Sequence, residues 1–219
     1  MSSSCSKSRE NAGWKAACSD MKKISRLFVL FFVVIVFSPA ASQERKAAFP
    51  ARDFASVRPL LCDSETMDEL KAAGRKCELN EFTVRAEDLN EDGTPEWLFY
   101  GPSGVCGAHG NCPLNIVASQ RSKYVLLGKG CNGENCLGLG NAVGSEVLKS
   151  THNGYRDLQI ATDAGSFYWS KNVYQWDGTA YKALKGSTTY YLYEQTADRL
   201  RKVTRERWDA CMKGGKRCF

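Results

Sequence analysis

Eight of the ten cysteines lie after residue 42, and they fall in close pairs: Cys62 with Cys77, Cys106 with Cys112, Cys131 with Cys136, and Cys211 with Cys218. An even set in an exported domain reads as a disulfide framework. The spacing points to four local clips in sequence order. Cys62–Cys77 would brace a helix, Cys106–Cys112 and Cys131–Cys136 would close loops, and Cys211–Cys218 would tie the C-terminal end. Each short clip contributes about 2–3 kcal/mol on the loop-entropy account, so together they rival the net stability of a small domain. The competing reading is a zinc site from Cys106, Cys112, Cys131 and Cys136. Structural zinc sites favour two to four residues between paired ligands, and here the gaps are five and four.

The disulfide reading requires export, and the N-terminal region supplies a reason to expect it. Leu27 to Phe37 reads LFVLFFVVIVF, with Lys22, Lys23 and Arg26 before it and Ser38-Pro39-Ala40-Ala41-Ser42 after it. Eleven apolar residues span only about 16 Å as a helix, whereas a bilayer core needs about 20 residues. A basic flank, a short apolar centre and small residues are the parts of a secretory signal peptide. The expected organisation is therefore a non-native or extra leader extension at 1–20, a signal peptide at 21–42 opening on Met21, and one exported β-rich domain at 43–219. A membrane anchor built on the same apolar run is the alternative.

Removing the leader changes the charge balance. The whole chain carries +6, but residues 1–42 hold six of its 30 basic and two of its 24 acidic residues. The remaining 24 basic and 22 acidic residues give +2, without the basic excess of a nucleic-acid binder.

Along the exported part, Ser64–Ala73 reads as a short helix, capped by Asp63 or Ser64 and closed at Gly74. Strand-like runs rich in Val, Ile, Tyr, Phe and Trp follow at 82–86, 96–100, 114–119, 124–128, 157–162, 172–176, 180–184 and 189–193. Asp177-Gly178 between two such runs is a tight-turn signal. Leu200, Val203, Trp208 and Cys211 fall roughly along one helical face. Arg199, Arg201, Lys202, Arg205 and Arg207 surround that face, either as solvated charges or as a basic surface for an anionic partner.

The segment Asp88 to Pro102, DLNEDGTPEWLFYGP, carries the candidate metal ligands. Asp88, Asn90 and Asp92 alternate before Gly93, the carbonyl of Thr94 adds an oxygen, and Glu96 closes the set. Calcium takes six to eight oxygens on a tightly curved loop. The EF-hand version fails because Phe99 stands where the bidentate Glu belongs. The competing reading is a turn in which Asp88, Asn90 and Asp92 bond their own backbone.

Asp88, Asn90, Asp92, Gly93 and Glu96, followed by a hydrophobic strand ending at Gly101-Pro102, resemble the calcium loops of FG-GAP repeats in integrin-type β-propellers and their bacterial relatives. The resemblance covers about 15 residues and implies a structural calcium ion on a hairpin between blade strands. Asn153 to Ile160 lines up on Asp92 to Phe99 at an offset of 61, which suggests degenerate repeats near 82–128 and 147–193. The second copy has Lys149 and Thr151 in place of Asp88 and Asn90, so no ion is expected there. The expected fold is mainly β, α+β in detail: a β-meander or propeller fragment with a short N-terminal and a C-terminal helix, stapled by disulfides.

No catalytic constellation emerges. His109 and His152 sit in Gly/Asn-rich stretches, and Ser103 lacks the context of a nucleophile elbow. The function expected is a monomeric, non-enzymatic, periplasmic or secreted binding module for a protein or glycan of the cell envelope. A periplasmic inhibitor or immunity-type protein acting on a cell-wall hydrolase is one alternative, and a small secreted hydrolase is another.

Overall fold

The computed structural model describes residues 48–130, 138–165 and 167–214. They belong to one compact unit, Lys46–Phe219. The leader segments and Cys131, Cys136 and Cys218 lie outside the described residues. Among the described residues no helix is long and apolar enough to cross a membrane.

Two helices come first, α1 (Phe54–Leu61) and α2 (Ser64–Ala72). Asp63 caps α2: its carboxylate accepts the Thr66 N–H at 3.0 Å. Gly74 takes φ +67° just beyond the helix end, the left-handed conformation that suits glycine. The disulfide Cys62–Cys77 ties the end of α1 to the chain beyond α2.

The first sheet contains β1 (Thr83–Glu87), β2 (Glu96–Tyr100), β3 (Cys112–Gln120), β4 (Lys123–Gly130) and β5 (Gly138–Leu139), in that order, with β6 (Asn141–Ala142) pairing β3. The second sheet contains β7 (Gly144–His152), β8 (Tyr155–Gly165), β9 (Tyr168–Trp176), β10 (Tyr181–Ala183), β11 (Thr189–Glu194) and β12 (Arg199–Val203). Its order is β12-β11-β9-β8-β7, with β10 also on β9. Apart from the short parallel pair β4–β5, all pairings are antiparallel. The fold is mainly β, with both sheets built as meanders.

Side-chain alternation decides which face packs where. On β2, Trp97 and Phe99 enter a cluster with Phe49, Val57, Leu61 and Leu70 beneath the helices. Leu98 points the other way, into a cluster with Leu158, Ile160, Tyr174 and Tyr181 of the second sheet. The first sheet is thus covered on both faces, which is why β2 reads as a continuous apolar run rather than an alternating one. On β8, Leu158 and Ile160 face the first sheet, which sends Asp157 and Gln159 to the opposite face.

The C-terminal region corrects one expectation. Leu200 and Val203 do not share a helix with Trp208 and Cys211. Arg199–Val203 is strand β12, paired with β11 from Tyr190↔Val203 to Glu194↔Arg199. Only Arg205–Gly214 is helical (α3), opened by Thr204, whose hydroxyl accepts the Arg207 N–H. The open edge of β11 outweighed the helical spacing. Trp208 of α3 packs its ring against Tyr190 at 5.2 Å and Tyr168 at 6.0 Å. The Tyr168 hydroxyl donates to the Cys211 carbonyl. Cys211 is buried and disulfide-bonded.

Candidate functional site

The Asp88–Glu96 loop joins β1 to β2. Asp88 accepts the N–H groups of Asp92 and Gly93 at 3.1 and 2.9 Å. Asn90 Oδ1 also accepts from Asp92 N–H, and Asp92 Oδ1 accepts from Thr94 N–H at 2.7 Å. Gly93 has φ +83° with open space where a Cβ would stand, so the turn needs glycine for its backbone angle and not for room. The Thr94 and Asn90 bonds hold the Asp92 carboxyl below its ordinary range.

Glu96 is not on the rim with these residues. It is only 3% exposed, and its carboxylate accepts the Leu89 N–H at 2.7 Å. Burial, and then the charges of Asp92 and Asp88, push it up to about 7 against the bonding from Leu89. The donor chemistry fits a hard cation: every candidate atom is oxygen, and a carboxylate oxygen holding one N–H keeps a further lone pair. In the geometry seen here the loop is closed by its own backbone. Among the described residues no three His, Cys, Asp or Glu side chains are gathered around a metal position.

The hairpin between β7 and β8 turns at Asn153-Gly154, both at positive φ, as a two-residue turn requires. It touches the first loop directly, because the Arg156 N–H donates to the Leu89 carbonyl at 2.7 Å. Asp157 is 2% exposed and is held by three side chains on the outward face of the second sheet. Ser150 donates to Oδ2 at 2.6 Å, His152 Nδ1 lies 2.7 Å from Oδ1, and Gln175 reaches Oδ2 at 3.3 Å. His152 thus ends a strand and orders a carboxylate, a role that its Gly/Asn-rich surroundings concealed. Ser150 bonds the carboxylate and not the imidazole, so the three form no hydroxyl-to-imidazole relay of the kind nucleophilic catalysis uses.

Further along the outward face, register places Trp169 beside Tyr191, and Tyr191 beside Lys202. Lys171 lies over the Tyr191 ring, 5.8 Å from its centroid. Trp169 and Tyr191 are half-buried, and the opposite faces of β9 and β11 carry Tyr168 and Tyr190 to Trp208. Nothing in the spacing of these aromatics along the chain separates the outward set from the packed one.

The disulfide Cys106–Cys112 closes a loop whose tip, Gly107 to Gly110, is exposed and includes His109. Asn111 fastens its base: its side chain accepts the Asp163 N–H at 2.9 Å and donates to the Asp163 carbonyl. Disulfides persist in oxidising compartments, so these bonds indicate a protein that works outside the reducing cytoplasm.

No protein-family model matches the chain, and no match is found among curated proteins or solved structures.

Proposed function

We propose that this chain is an exported, periplasmic or secreted binding module that recognises a protein or glycan, with the Asp88–Glu96 loop taking a structural calcium ion. One observation carries the binding reading. Among the described residues the first sheet is covered on both faces, whereas the second keeps an outward face that displays Trp169, Tyr191, Lys171 and Lys202. Partly exposed aromatics set among polar groups suit recognition better than they suit stability. For calcium the support is the all-oxygen set of Asp88, Asn90, Asp92, Thr94 and Glu96. A bound cation would offset the repulsion that Glu96 feels from Asp88 and Asp92, and would pin the β1–β2 loop against the second hairpin through Leu89.

A second reading has its own observation. The Cys106–Cys112 loop is exposed at its tip and fastened at its base, the form in which an inhibitor presents a rigid segment to an enzyme cleft. Capture experiments with the immobilised mature chain and envelope extract test both readings. Retention of envelope polysaccharide or of a binding protein supports the module. Stoichiometric recovery of one cell-wall hydrolase supports the inhibitor. Recovery of nothing would sink both.

A further inference from the structure

The outward face of the second sheet is a track. Along β9, Trp169, Lys171, Val173 and Gln175 alternate onto it, and they span about 20 Å at about 3.3 Å per residue. Tyr191 lies beside Trp169 with Lys202 beyond it, Thr189 flanks Lys171, and Lys182 flanks Gln175. At the Gln175 end the track opens into a depression of about 340 Å³, lined by His152, Gln175, Lys182 and Lys185 among others.

The carboxylates on this face are mostly held by groups other than its lysines. Asp177 is engaged by Lys182 and by the N–H groups of Thr179 and Ala180. Asp163 accepts the Gly165 N–H, and Asp157 is buried under its three partners. Glu146 stands opposite Gln159 on β7, at the far edge of the face and two strands from β9. Lys171, Lys185 and Lys202 have no carboxylate partner among the described residues. Free ammonium groups therefore stand at both ends, and a pair of rings lies at one.

We infer that this face binds a carboxylate-bearing glycan laid along β9, an inference that rests on the binding-module reading. Sugar rings would pack their apolar faces on Trp169 and Tyr191, each a large ring with an apolar body. The carboxylates would meet Lys171 and Lys202 at one end and Lys182 and Lys185 at the other, and Gln175 offers a neutral donor between. The face provides hydrogen-bonding side chains rather than the unpaired backbone edge that an added peptide strand requires.

The test uses the full mature chain in affinity electrophoresis through gels containing polygalacturonate or neutral dextran, at low and high salt. Retardation by polygalacturonate alone is expected, weakening as salt rises. Trp169→Ala, and separately the pair Lys171→Glu and Lys202→Glu, should each weaken retention at least tenfold with unchanged urea midpoints. Lys213→Glu on α3 should leave it unaltered. Equal retention of wild type and both face variants would overturn this face while leaving a glycan-binding module standing. Equal retention by dextran would overturn the anionic class. If no polygalacturonate is bound the inference fails, and capture from envelope extract then judges the broader reading by itself.

Discussion

Glu96 and Asp157 are buried carboxylates at matching positions of the two sheets, and each is held by the residue seven places before it. Glu96 accepts the Leu89 N–H, and Asp157 accepts the Ser150 hydroxyl. Where the first hairpin has a long loop that turns a backbone N–H inward, the second has a two-residue turn and recruits Ser150, His152 and Gln175 instead. The faces differ as well. Glu96 points between the sheets with Leu98, whereas Asp157 points outward with Gln159. The sheets therefore stack head to tail, each presenting opposite faces to its two sides. Among the described residues no further sheet covers the outward face of the second, and Asp157, Gln159 and Gln175 line it.

Calcium should raise the melting temperature. After chelation, adding millimolar calcium is expected to stabilise the domain, by about 2.7 kcal/mol if the concentration reaches a hundredfold Kd. Asp88→Asn with Asp92→Asn should abolish the response. An unmoved melting temperature in the wild-type protein would remove calcium from the account.

Glu96 should make stability depend on pH when chelator is present. Its folded value is raised from 4.5 to about 7, so the folded state binds the proton more tightly than the unfolded chain does. That contribution is fully present below about pH 4.5 and is lost as pH rises through about 7, amounting to at most about 3 kcal/mol. Denaturant midpoints measured from pH 5 to pH 8 should fall for the wild type and stay flatter for Glu96→Gln. Parallel curves would show that another group sets the slope.

Asp157→Ala should cost about 2–3 kcal/mol, because Ser150, His152 and Gln175 lose a shared charged acceptor. Asp157→Asn keeps an acceptor oxygen and should cost less. Urea unfolding decides, and an unshifted midpoint for the alanine variant would mean that the cluster does not hold the β7–β8 hairpin.

Replacing Cys62 and Cys77 together by alanine should lower stability by about 3 kcal/mol, the value for closing a loop of 15 residues. The Cys106 and Cys112 pair, 6 apart, should cost less. Equal losses would show that native-state packing around the sulfurs outweighs loop entropy.

Much of this architecture was readable from local chemistry. The β2 boundaries, the Asp63-capped helix, the Asp177-Gly178 turn and the clips Cys62–Cys77 and Cys106–Cys112 each depend on residues close together in the chain. Helix α1 was not legible, because Pro59 inside it suppresses the helical reading and tertiary packing of Val57 and Leu61 restores it. Strand β7 was equally obscure. Its GSEVLKSTH is half exposed and irregular, and only pairing with β8 makes it a strand. The acidic loop was found by its spacing, yet spacing did not reveal that Glu96 turns inward while Asp88, Asn90 and Asp92 stay on the rim.

What the chain alone determined is the β-rich character, the turns and the close pairing of Cys62 with Cys77 and of Cys106 with Cys112, since backbone preference and short loop closure act over a few residues. Which side of each strand is buried was decided by the tertiary structure. Both faces of a strand carry apolar residues here, and only the stacking of one sheet on the next settles which of them meets water. That choice left Tyr168 and Tyr190 packed under Trp208, and Trp169 and Tyr191 facing outward.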